Sequence, residues 1–513
     1  MAAVAAATDF AKGLPEEQAL RTCRIALTLA ERAGLATEDR RAVFYLSLLR
    51  FVGCTATAPE MAAALGDEIA ISALFAAVDP RDLRAVLGAA ASGVGVGRSI
   101  PARAVELLRF LGSAPAVIRE HEVASCEVAR LFADRVGLPA PIGAALGQVF
   151  ERWDGRGNPG VARGTGIALP VRVEQVAHAV EVLVRTAGAE GARAGLRRRA
   201  GTSFDPDLVE LACTDLAGPD GDADPAAVLA AEPEPWLTYS GEALDRALAA
   251  IGAVADLKSA YTRGHAGGVA RRAAGAARAA GLPEDDVILL RRAGWLHDLG
   301  RVVVSARVWD RPGPLSAAQW EQVRLHPYVT ERLLSRCPGL AEVAAVAGGH
   351  HERADGSGYH RGVKADRRAA LLAAADMDQA LSERRPHRPA LAPAERTALL
   401  RAEVAEGRLP GWAVDAVLAS GDSGSLRGVR RRRAGVAGSG YPVHTHPTQA
   451  LTGREREVLA LVARGATNRA VAQALGISAK TVNAHLEHIF TKLGVTTRGA
   501  ATFQAIELGL LDG

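Results

Sequence analysis

Seven residues in the second half of the chain have the side-chain types that bind metal ions. Imidazoles and carboxylates are ligands for Fe, Mn, Ni or Zn, and adjacent ligands on a helix diverge by about 100°, so a pair can contact an ion from two sides. A carboxylate can also bridge two ions, and two ions about 3.5 to 4 Å apart promote phosphoester hydrolysis. The candidate ligands are His265, His297, Asp298, His326, His350, His351 and Asp376.

Other roles for these seven residues are open. A purely structural role is disfavoured, because buried unpaired carboxylates are costly. Metal binding without turnover is a stronger alternative, in which the site senses a nucleotide or stabilises the fold. Isolated histidines such as His178, His360 and His387 are expected to be structural or exposed.

The composition indicates the elements that must position the candidate ligands. A chain of 513 residues is too long for one hydrophobic core, and about three domains are expected. Aromatic residues make up only 4% of the chain, so its cores depend on Ala, Leu and Val, which favour closely packed helices. We therefore predict an all-α protein. The net charge of +4 excludes a uniformly basic nucleic-acid coat but permits a local basic module.

The sequence also bears on the cellular compartment. Five scattered cysteines without a Cys-x-x-Cys motif indicate neither a zinc site nor a disulfide framework. The first residues lack the pattern of a signal peptide, and no apolar run reaches the roughly 18 residues of a spanning helix. We expect a cytoplasmic protein with no membrane partner.

Changes in composition divide the chain into three domains and two linkers. The predicted domains are residues 1–217, 237–420 and 449–513. The segment 218–236 is acidic and rich in Pro and Gly, and we interpret it as a linker. The segment 421–448 is predicted to be a flexible basic linker. Its arginine run, Arg430 to Arg433, is either a solvated stretch or a source of non-specific phosphate attraction.

The first two domains resemble copies of each other. "ERWDGRGNPG" at 151–160 aligns with "ERADGSGYHR" at 352–361, and "AERAGLATEDRR" at 30–41 with "ARAAGLPEDDVI" at 277–288. The first copy has Val149-Phe150 in place of His350-His351, and Arg50-Phe51 in place of His297-Asp298. His121 is the predicted counterpart of His326. We expect the first copy to be a degenerate scaffold that has lost the chemistry.

Several motifs of the second copy resemble the HD-GYP phosphodiesterases, a branch of the HD phosphohydrolase superfamily. They are "HDLGR", "RPGPLSAAQWEQVRLHP", "HHERADGSGYH", "AAADMDQAL" and "RRPHRPAL". The resemblance implies an all-helical fold, two or three bound metal ions and hydrolysis of cyclic di-GMP. It also implies how the ligands divide. His265, His297, Asp298 and Asp376 would hold one ion, and Asp298 would bridge to a second ion held by His326, His350 and His351.

The same resemblance assigns catalytic and substrate-binding residues. It implies catalytic roles for Asp298 and Arg301, and substrate contacts from Arg301, Gly358, Tyr359, Arg385 and Arg388. The two arginines near position 386 could instead be an ordinary solvated charge run.

Three positions depart from the pattern of that family. Arg301 stands where the family usually has Lys; it keeps the charge but cannot donate a proton at neutral pH. The Gly-Tyr-Pro motif is Gly358-Tyr359-His360, and loss of the proline is expected to loosen the loop. Tyr261 replaces a Glu that supports a third metal in some members, which favours two divalent ions here, Fe, Mn or similar.

The C-terminal domain has the pattern of a helix-turn-helix. Gly476 fits a left-handed turn between two helices, and Ser478 fits the N-cap of the next helix. Apolar residues recur at helical spacing: Val458, Leu461, Val462, Val471, Leu475, Val482, Ile489 and Leu493. The predicted DNA-binding residues are Lys480, Thr481, Asn483, His485 and Lys492, with His485 a packing or phosphate-proximal residue. The alternative is a surface helix with ordinary charges.

This domain resembles the LuxR-type helix-turn-helix through "LTGREREVL", "KTVNAHLEHIFTKLGV" and "TRGAA". The resemblance implies four helices, binding of double-stranded DNA as a homodimer, and a dimer contact through the last helix at about 499–511. The whole sequence therefore predicts a bacterial regulator that combines hydrolysis of cyclic di-GMP or a related phosphoester with sequence-specific DNA binding. The alternative is a non-catalytic transcription factor whose HD domain only senses metal or nucleotide.

Overall fold

A computed structural model describes residues 1–79, 82–96, 99–214, 216, 225–422 and 451–511. Over these residues the chain forms α-helices joined by turns and short 3-10 helices, and no strand. The prediction of an all-α protein is confirmed. The linker 421–448 lies almost wholly outside the described residues, as does the first half of the segment 218–236.

The first copy contains ten helices, of which two are long. They are α1 (Ala2–Ala11), α2 (Gln18–Arg32), α3 (Thr37–Leu49), α4 (Ala58–Leu65), α5 (Glu68–Phe75), α6 (Leu83–Gly93), α7 (Ile100–Arg135), α8 (Ala140–Leu146), α9 (Leu169–Arg199) and α10 (Pro206–Cys213). Short 3-10 helices lie at Val52–Thr55 and Gly164–Gly166. Helix α9 is kinked at Gly188, which has a φ of 67°. Glycine adopts this positive φ readily because it has no Cβ.

A short helix, α11 (Pro225–Ala230), connects the two copies. Its Val228 is buried in the same core as α2 and α3. Glu232, just after it, accepts a hydrogen bond from the hydroxyl of Tyr45 and one from the backbone N–H of Leu237. The described part of the predicted linker therefore packs against the first copy.

The second copy repeats the order of the first. Its helices are α12 (Gly241–Asp256), α13 (His265–Ala279), α14 (Glu284–Leu296), α15 (Ala306–Trp309), α16 (Ala317–Arg324), α17 (His326–Ser335), α18 (Ala341–Gly348), α19 (Arg367–Ser382), α20 (Pro393–Ala405) and α21 (Gly411–Asp422). Short 3-10 helices lie at Leu299–Val303 and Pro338–Leu340. The copies also share cores, because alanines of α1 pack with the second copy and Ala250 and Val254 of α12 pack with the first.

Two repeated contacts show how the copies correspond. Ala19 N donates to Asp9 and Ala266 N donates to Asp256, each at 3.0 Å. Gly53 and Gly300 each lie so close to the next long helix that a Cβ would approach a backbone oxygen to 2.1 Å. That oxygen belongs to Ser125 in the first copy and to His326 in the second.

The prediction that His121 is the counterpart of His326 is therefore wrong. Ser125 occupies the equivalent position, and His121 lies one helical turn earlier, where its Nδ1 is 2.7 Å from the hydroxyl of Thr57. A four-residue slip preserves the buried face of a helix, which explains why the sequence did not reveal it. The first copy thus retains no histidine at any histidine position of the second.

The C-terminal domain consists of four helices, as predicted: α22 (Gly453–Ala463), α23 (Asn468–Leu475), α24 (Ala479–Leu493) and α25 (Arg498–Glu507). Side-chain oxygens of Thr452, Thr467, Ser478 and Thr497 cap their N-termini. Gly476 has φ 65° and ψ 34°, the left-handed conformation expected of the turn. The last helix ends at Glu507, before the predicted end near 511, with Gly509 in a left-handed turn after it.

Among the described residues, no single helix combines the length and the apolar composition needed to cross a membrane. One bent pair, Thr37–Thr55 with Ala58–Leu65, meets the two criteria only when its halves are taken together.

Candidate metal centre and DNA-binding interface

The structure brings all seven predicted metal ligands to one place, from five different helices or their ends. His265 begins α13, His297 and Asp298 follow α14, His326 begins α17, His350 and His351 follow α18, and Asp376 lies within α19. The Nε2 atom of His265 lies 3.1 Å from Asp376 Oδ1, and that of His297 lies 3.1 Å from Asp298 Oδ2.

The ligand atoms fall into overlapping groups, and within each group all atoms lie within 4.8 Å of one another. One group contains His265, His297 and Asp376, and another contains His326, His350 and His351; a third, His297, Asp298 and His350, overlaps with both. Asp298 lies between them, with Oδ2 3.1 Å from His297 Nε2 and Oδ1 3.3 Å from His326 Nε2. Asp298 thus has one oxygen near each group, while the division of the seven residues between two ions stays a prediction.

The donor set fits divalent metal ions. Four buried atoms make no hydrogen bond within the described structure: Nε2 of His265, Nε2 of His297 and both carboxylate oxygens of Asp298. Buried polar atoms normally have partners, because an unsatisfied group pays the full penalty of desolvation. These donors lie in ion-pair contact with one another and with Arg301, and a converging set of nitrogen and oxygen donors is what an Fe, Mn or similar ion requires.

The other ring nitrogens have hydrogen-bond acceptors, which settle the tautomers. His297 Nδ1 lies 2.9 Å from the carbonyl of Gly294, and His326 Nδ1 lies 2.6 Å from that of Val323. His350 follows the same pattern at 2.6 Å from Ala347 O. A carbonyl can only accept, so each Nδ1 carries a proton, and once a ring is neutral its Nε2 presents a lone pair towards the centre.

Electrostatics within the cluster are strong. Burial opposes charge on His297, but Asp298 and Asp376 outweigh it and raise the pKa of His297 to about 10. Burial together with the charges of His297 and His326 lowers the pKa of His350 to about 3. Burial opposes ionisation of Asp298, but Arg301 and His297 outweigh it and hold that pKa well below its usual value. Metal ions bind deprotonated ligands, so binding here would displace protons from the cluster.

Two of the predicted substrate-binding arginines border the metal ligands. Arg301 Nε lies 2.8 Å from Asp298 Oδ2, and its guanidinium stacks 4.7 Å above the ring of Trp309. Arg385 donates to Glu383 at 2.8 Å, and its Nη2 lies 3.4 Å from His265 Nδ1. These contacts place two cations beside the carboxylates that would hold the metals.

Arg388 lies differently from the other two. It donates to four backbone carbonyls near the end of α19, those of Ala380, Leu381, Glu383 and Pro389. Arginine at a helix C-terminus satisfies carbonyls that have no helical partner. A substrate contact from Arg388 would require these bonds to break.

The Gly-Tyr-His loop lies directly against the metal ligands. The ring of Tyr359 stacks on that of His351, with centroids 4.7 Å apart. A Cβ on Gly358 would come within 2.4 Å of the His351 carbonyl, so only glycine fits there. His360 Nε2 lies 3.1 Å from Glu331, and Arg361 also pairs with that carboxylate, while the expected loosening of the loop stays a prediction. The histidine that replaces proline ties the loop to α17.

In the first copy the equivalent centre is closed by other side chains. By the correspondence of the helices, the ligand positions hold Gln18, Arg50, Phe51, Ser125, Val149, Phe150 and His178. The Arg50 guanidinium pairs with the buried Glu174 and lies 5.5 Å from the centroids of both Phe51 and Phe150. A protein cation thus stands where the second copy has converging metal donors, as expected of a degenerate copy.

The predicted DNA-binding residues of α24 do not share one environment. Lys480, Thr481 and Asn483 are exposed, and His485 is half-buried. Lys492 instead places its ammonium 2.7 and 2.8 Å from the two oxygens of Glu455 in α22. Its hydrogen bonds lower the pKa of Glu455 to about 2.

We therefore expect Lys492→Met to act on stability. Loss of the ammonium leaves Glu455 short of a partner, and losing a hydrogen bond to a charged group costs about 1.5 to 3 kcal/mol. Thermal unfolding should show the C-terminal domain melting at a lower temperature. Lys480→Met, at an exposed position of the same helix, is the control and should leave the melting temperature unchanged while weakening DNA binding. Unchanged melting of the Lys492 variant would contradict this interpretation.

The C-terminal domain is docked on the first copy through Glu127 of α7. The Glu127 carboxylate accepts hydrogen bonds from the backbone N–H groups of Thr496 at 2.6 Å and Thr497 at 2.9 Å, and from the Thr497 hydroxyl at 2.5 Å. Arg130 donates to the carbonyl of Gly494 at 3.1 Å, and Arg135 pairs with Glu507. Helix α25 packs along α7 as a result.

A cleft of about 720 Å³ remains between α7 and α24, the predicted recognition helix. Arg119 and Glu120 of α7 form one wall, and Asn483 and Glu487 of α24 form the other. Of the five predicted DNA-binding residues, Asn483 lines this cleft, so this part of α24 faces another helix of the same chain.

One residue beside the metal ligands was not predicted from the sequence. Glu383 Oε2 lies 2.9 Å from His265 Nδ1. Its position seven residues after Asp376, two helical turns along, is the signal that could have indicated it. The sequence drew attention instead to the arginines that follow.

Comparisons with known proteins agree with this geometry. Residues 250–409 match the HD domain family, and residues 449–505 match the bacterial regulatory proteins of the luxR family. The 3′3′-cGAMP-specific phosphodiesterase 3 of Vibrio cholerae is 28% identical over 409 residues, 76% of this chain and 87% of the relative. The cyclic di-GMP phosphodiesterase of Thermotoga maritima is 36% identical over 113 residues, 21% of this chain and 31% of the relative.

A solved structure extends the likeness to the fold. The crystal structure of a cyclic GMP-AMP specific phosphodiesterase of V. cholerae has a TM-score of 0.56 and 24% identity, covering 82% of this chain and 96% of the other. The fold and the cluster of imidazoles and carboxylates are similar to those of metal-dependent phosphohydrolases of the HD family. The chain joins this HD domain to a C-terminal LuxR-type DNA-binding domain, and its homologues include HD-GYP cyclic dinucleotide phosphodiesterases. The predicted combination of a phosphohydrolase domain with a DNA-binding domain is confirmed at the level of these domain matches and homologues.

Proposed function

We propose that the second copy hydrolyses a phosphodiester bond of a guanine-containing cyclic dinucleotide, with two Fe or Mn ions as cofactors. The observation that carries the proposal is the pair of donor groups that lie on either side of Asp298. His265, His297, Asp298 and Asp376 would hold one ion, and Asp298, His326, His350 and His351 the other. When bound, such a pair of ions activates water and neutralises charge on the phosphate.

The remaining residues of the site bind and orient the substrate. Arg301 and Arg385 offer guanidinium groups that match phosphate oxygens in a bidentate way. Arg301 is fixed by Asp298 and Trp309, and so places its charge close to the bridging carboxylate before substrate arrives. Tyr359, stacked on His351, forms an aromatic wall beside the ligands. Proton donation from Arg301 is excluded at neutral pH, because its guanidinium does not deprotonate.

The relatives support a cyclic dinucleotide as substrate. The relative with the longest match is named for 3′3′-cGAMP, and a shorter one for cyclic di-GMP. We expect purified protein loaded with Mn to linearise at least one of these two nucleotides. Chelation with EDTA should abolish turnover, and added Mn should restore it, because the bound metal ions would activate the attacking water. Chromatography of products from cyclic di-GMP, 3′3′-cGAMP and cyclic di-AMP decides the substrate, and hydrolysis of none of them would contradict the proposal.

We further propose that the C-terminal domain binds operator DNA as a dimer in the cytoplasm, and that it must leave α7 to do so. A recognition helix enters a major groove about 12 Å wide with the duplex around it. Helix α7 occupies part of that space, across the cleft from Asn483 and Glu487. Helix α25, which the LuxR resemblance places at the dimer contact, is likewise covered by α7. Docked molecules would not bind DNA, so the apparent affinity for DNA falls in proportion to the fraction of molecules whose C-terminal domain is released.

A further inference from the structure

Three metal-ligating histidines are oriented by the ends of the helices that precede them. His297, His326 and His350 each donate from Nδ1 to the carbonyl three residues earlier, at the C-terminal turn of α14, α16 and α18. The last carbonyls of a helix have no intrahelical partner, so they are free to accept these bonds. The backbone itself therefore fixes the tautomer of these rings.

His265 lacks this arrangement because it lies at the opposite end of a helix. It is the first residue of α13, preceded by Gly264 at φ 87°. A helix N-terminus offers unpaired N–H groups, and an N–H cannot accept a proton from Nδ1. The Nδ1 of His265 has a side-chain acceptor instead, the Glu383 carboxylate at 2.9 Å.

Glu383 is itself held from two sides. Gln379, one turn earlier in α19, donates to its Oε1 at 2.6 Å, and Arg385 donates to its Oε2 at 2.8 Å. The Glu383 side chain is 18% exposed and that of His265 is fully buried. A carboxylate fixed in this way orients the imidazole more firmly than a mobile side chain would.

We propose that Glu383 is a positioning residue for one of the two metal ions. It keeps the proton of His265 on Nδ1, and so leaves Nε2 unprotonated towards Asp376 and Asp298, at 3.1 and 3.5 Å. The inference rests on the proposed function, because it assigns Glu383 to the ion that His265 would hold. The ion held by His326, His350 and His351 has no contact with it.

The test compares metal binding of full-length Glu383→Ala, Glu383→Gln and Glu403→Ala with the unmodified protein. Glu403 is the control, since it pairs with Arg408 in the same copy and touches no metal ligand. Chelator competition with Mn should show one of two ions bound about 10 to 100-fold more weakly in E383A, the usual effect of losing such a partner. The amide oxygen of E383Q still accepts from Nδ1 but carries no charge, so one ion should bind about tenfold more weakly, at the low end of that range.

Folding is followed separately, by the melting of the metal-free proteins. If E383A unfolds, E383Q decides: an unchanged melting temperature with weaker binding of one ion supports the proposal. Wild-type affinity for both ions in the folded E383A variant, or in E383Q if E383A is unfolded, overturns it and leaves the proposed function standing. Equal weakening of both ions also overturns it. Absence of metal from the unmodified protein overturns the proposed function, and this inference with it.

Discussion

Replacing His297 and Asp298 together by alanine is expected to abolish both metal binding and hydrolysis. His297 belongs to one donor group and Asp298 lies between the two, so the double variant removes donors from both ions. Loss of an outer partner alone costs about 10 to 100-fold in affinity or activity, and loss of two direct ligands should exceed 100-fold. Metal analysis by mass spectrometry and chromatography of the nucleotide products measure the two effects.

The internal duplication provides a matched control for this experiment. His326→Ala should reproduce the loss, whereas Ser125→Ala, at the equivalent position of the first copy, should leave metal content and turnover unchanged. The Ser125 hydroxyl donates to the sulfur of Cys54, at 3.7 Å, and so is engaged away from any predicted metal ligand. Full activity in the His297 and Asp298 double variant would contradict the assignment of the ligands. Loss of activity in the Ser125 variant would contradict the view that the first copy is catalytically silent.

Glu127→Ala is expected to increase the affinity for DNA by about tenfold or more. The Glu127 carboxylate accepts three hydrogen bonds from Thr496 and Thr497, and a hydrogen bond to a charged group contributes about 1.5 to 3 kcal/mol. A shift of about 1.4 kcal/mol towards the released domain corresponds to a tenfold change in apparent affinity. Fluorescence anisotropy with a labelled duplex at low salt measures the change.

Glu210→Ala is the control, since it removes a carboxylate from an exposed pair with Arg197 that joins α10 to α9 within the first copy. It changes the net charge by the same amount and should alter DNA affinity little. A Glu127 variant that binds DNA no better than the Glu210 variant would show that docking on α7 does not limit binding. The salt dependence of DNA affinity distinguishes release of the C-terminal domain from a gain of new phosphate contacts. Only new phosphate contacts would make the affinity fall more steeply with salt.

The metal centre could be predicted from the sequence because its chemistry depends on residue types. His297-Asp298 and His350-His351 are adjacent pairs, and the structure places both pairs in overlapping groups of possible metal ligands. The turn and caps of the C-terminal domain were predictable for a similar reason. Gly476 and Ser478 determine local backbone geometry, which needs no knowledge of distant contacts.

Other features depend on long-range contacts and could not be predicted. Whether Lys492 faces DNA or Glu455 is decided by how α24 packs on α22, 37 residues away in sequence. The place of His360 depends on Glu331 in α17, a partner that a motif comparison does not include. The docking of α25 on α7 joins Glu127 to residues 370 positions later. This docking is stabilised by contacts between two domains, and such contacts leave no periodic pattern in the sequence of either domain.

The most direct test is to measure metal content and cyclic dinucleotide hydrolysis on one sample of the unmodified protein. We expect two divalent ions per chain, and linear product from cyclic di-GMP or 3′3′-cGAMP. Two ions without turnover would contradict the proposed enzyme and move the second copy to the sensing of metal or nucleotide. Neither ions nor turnover would contradict the assignment of the seven ligands and leave a DNA-binding regulator.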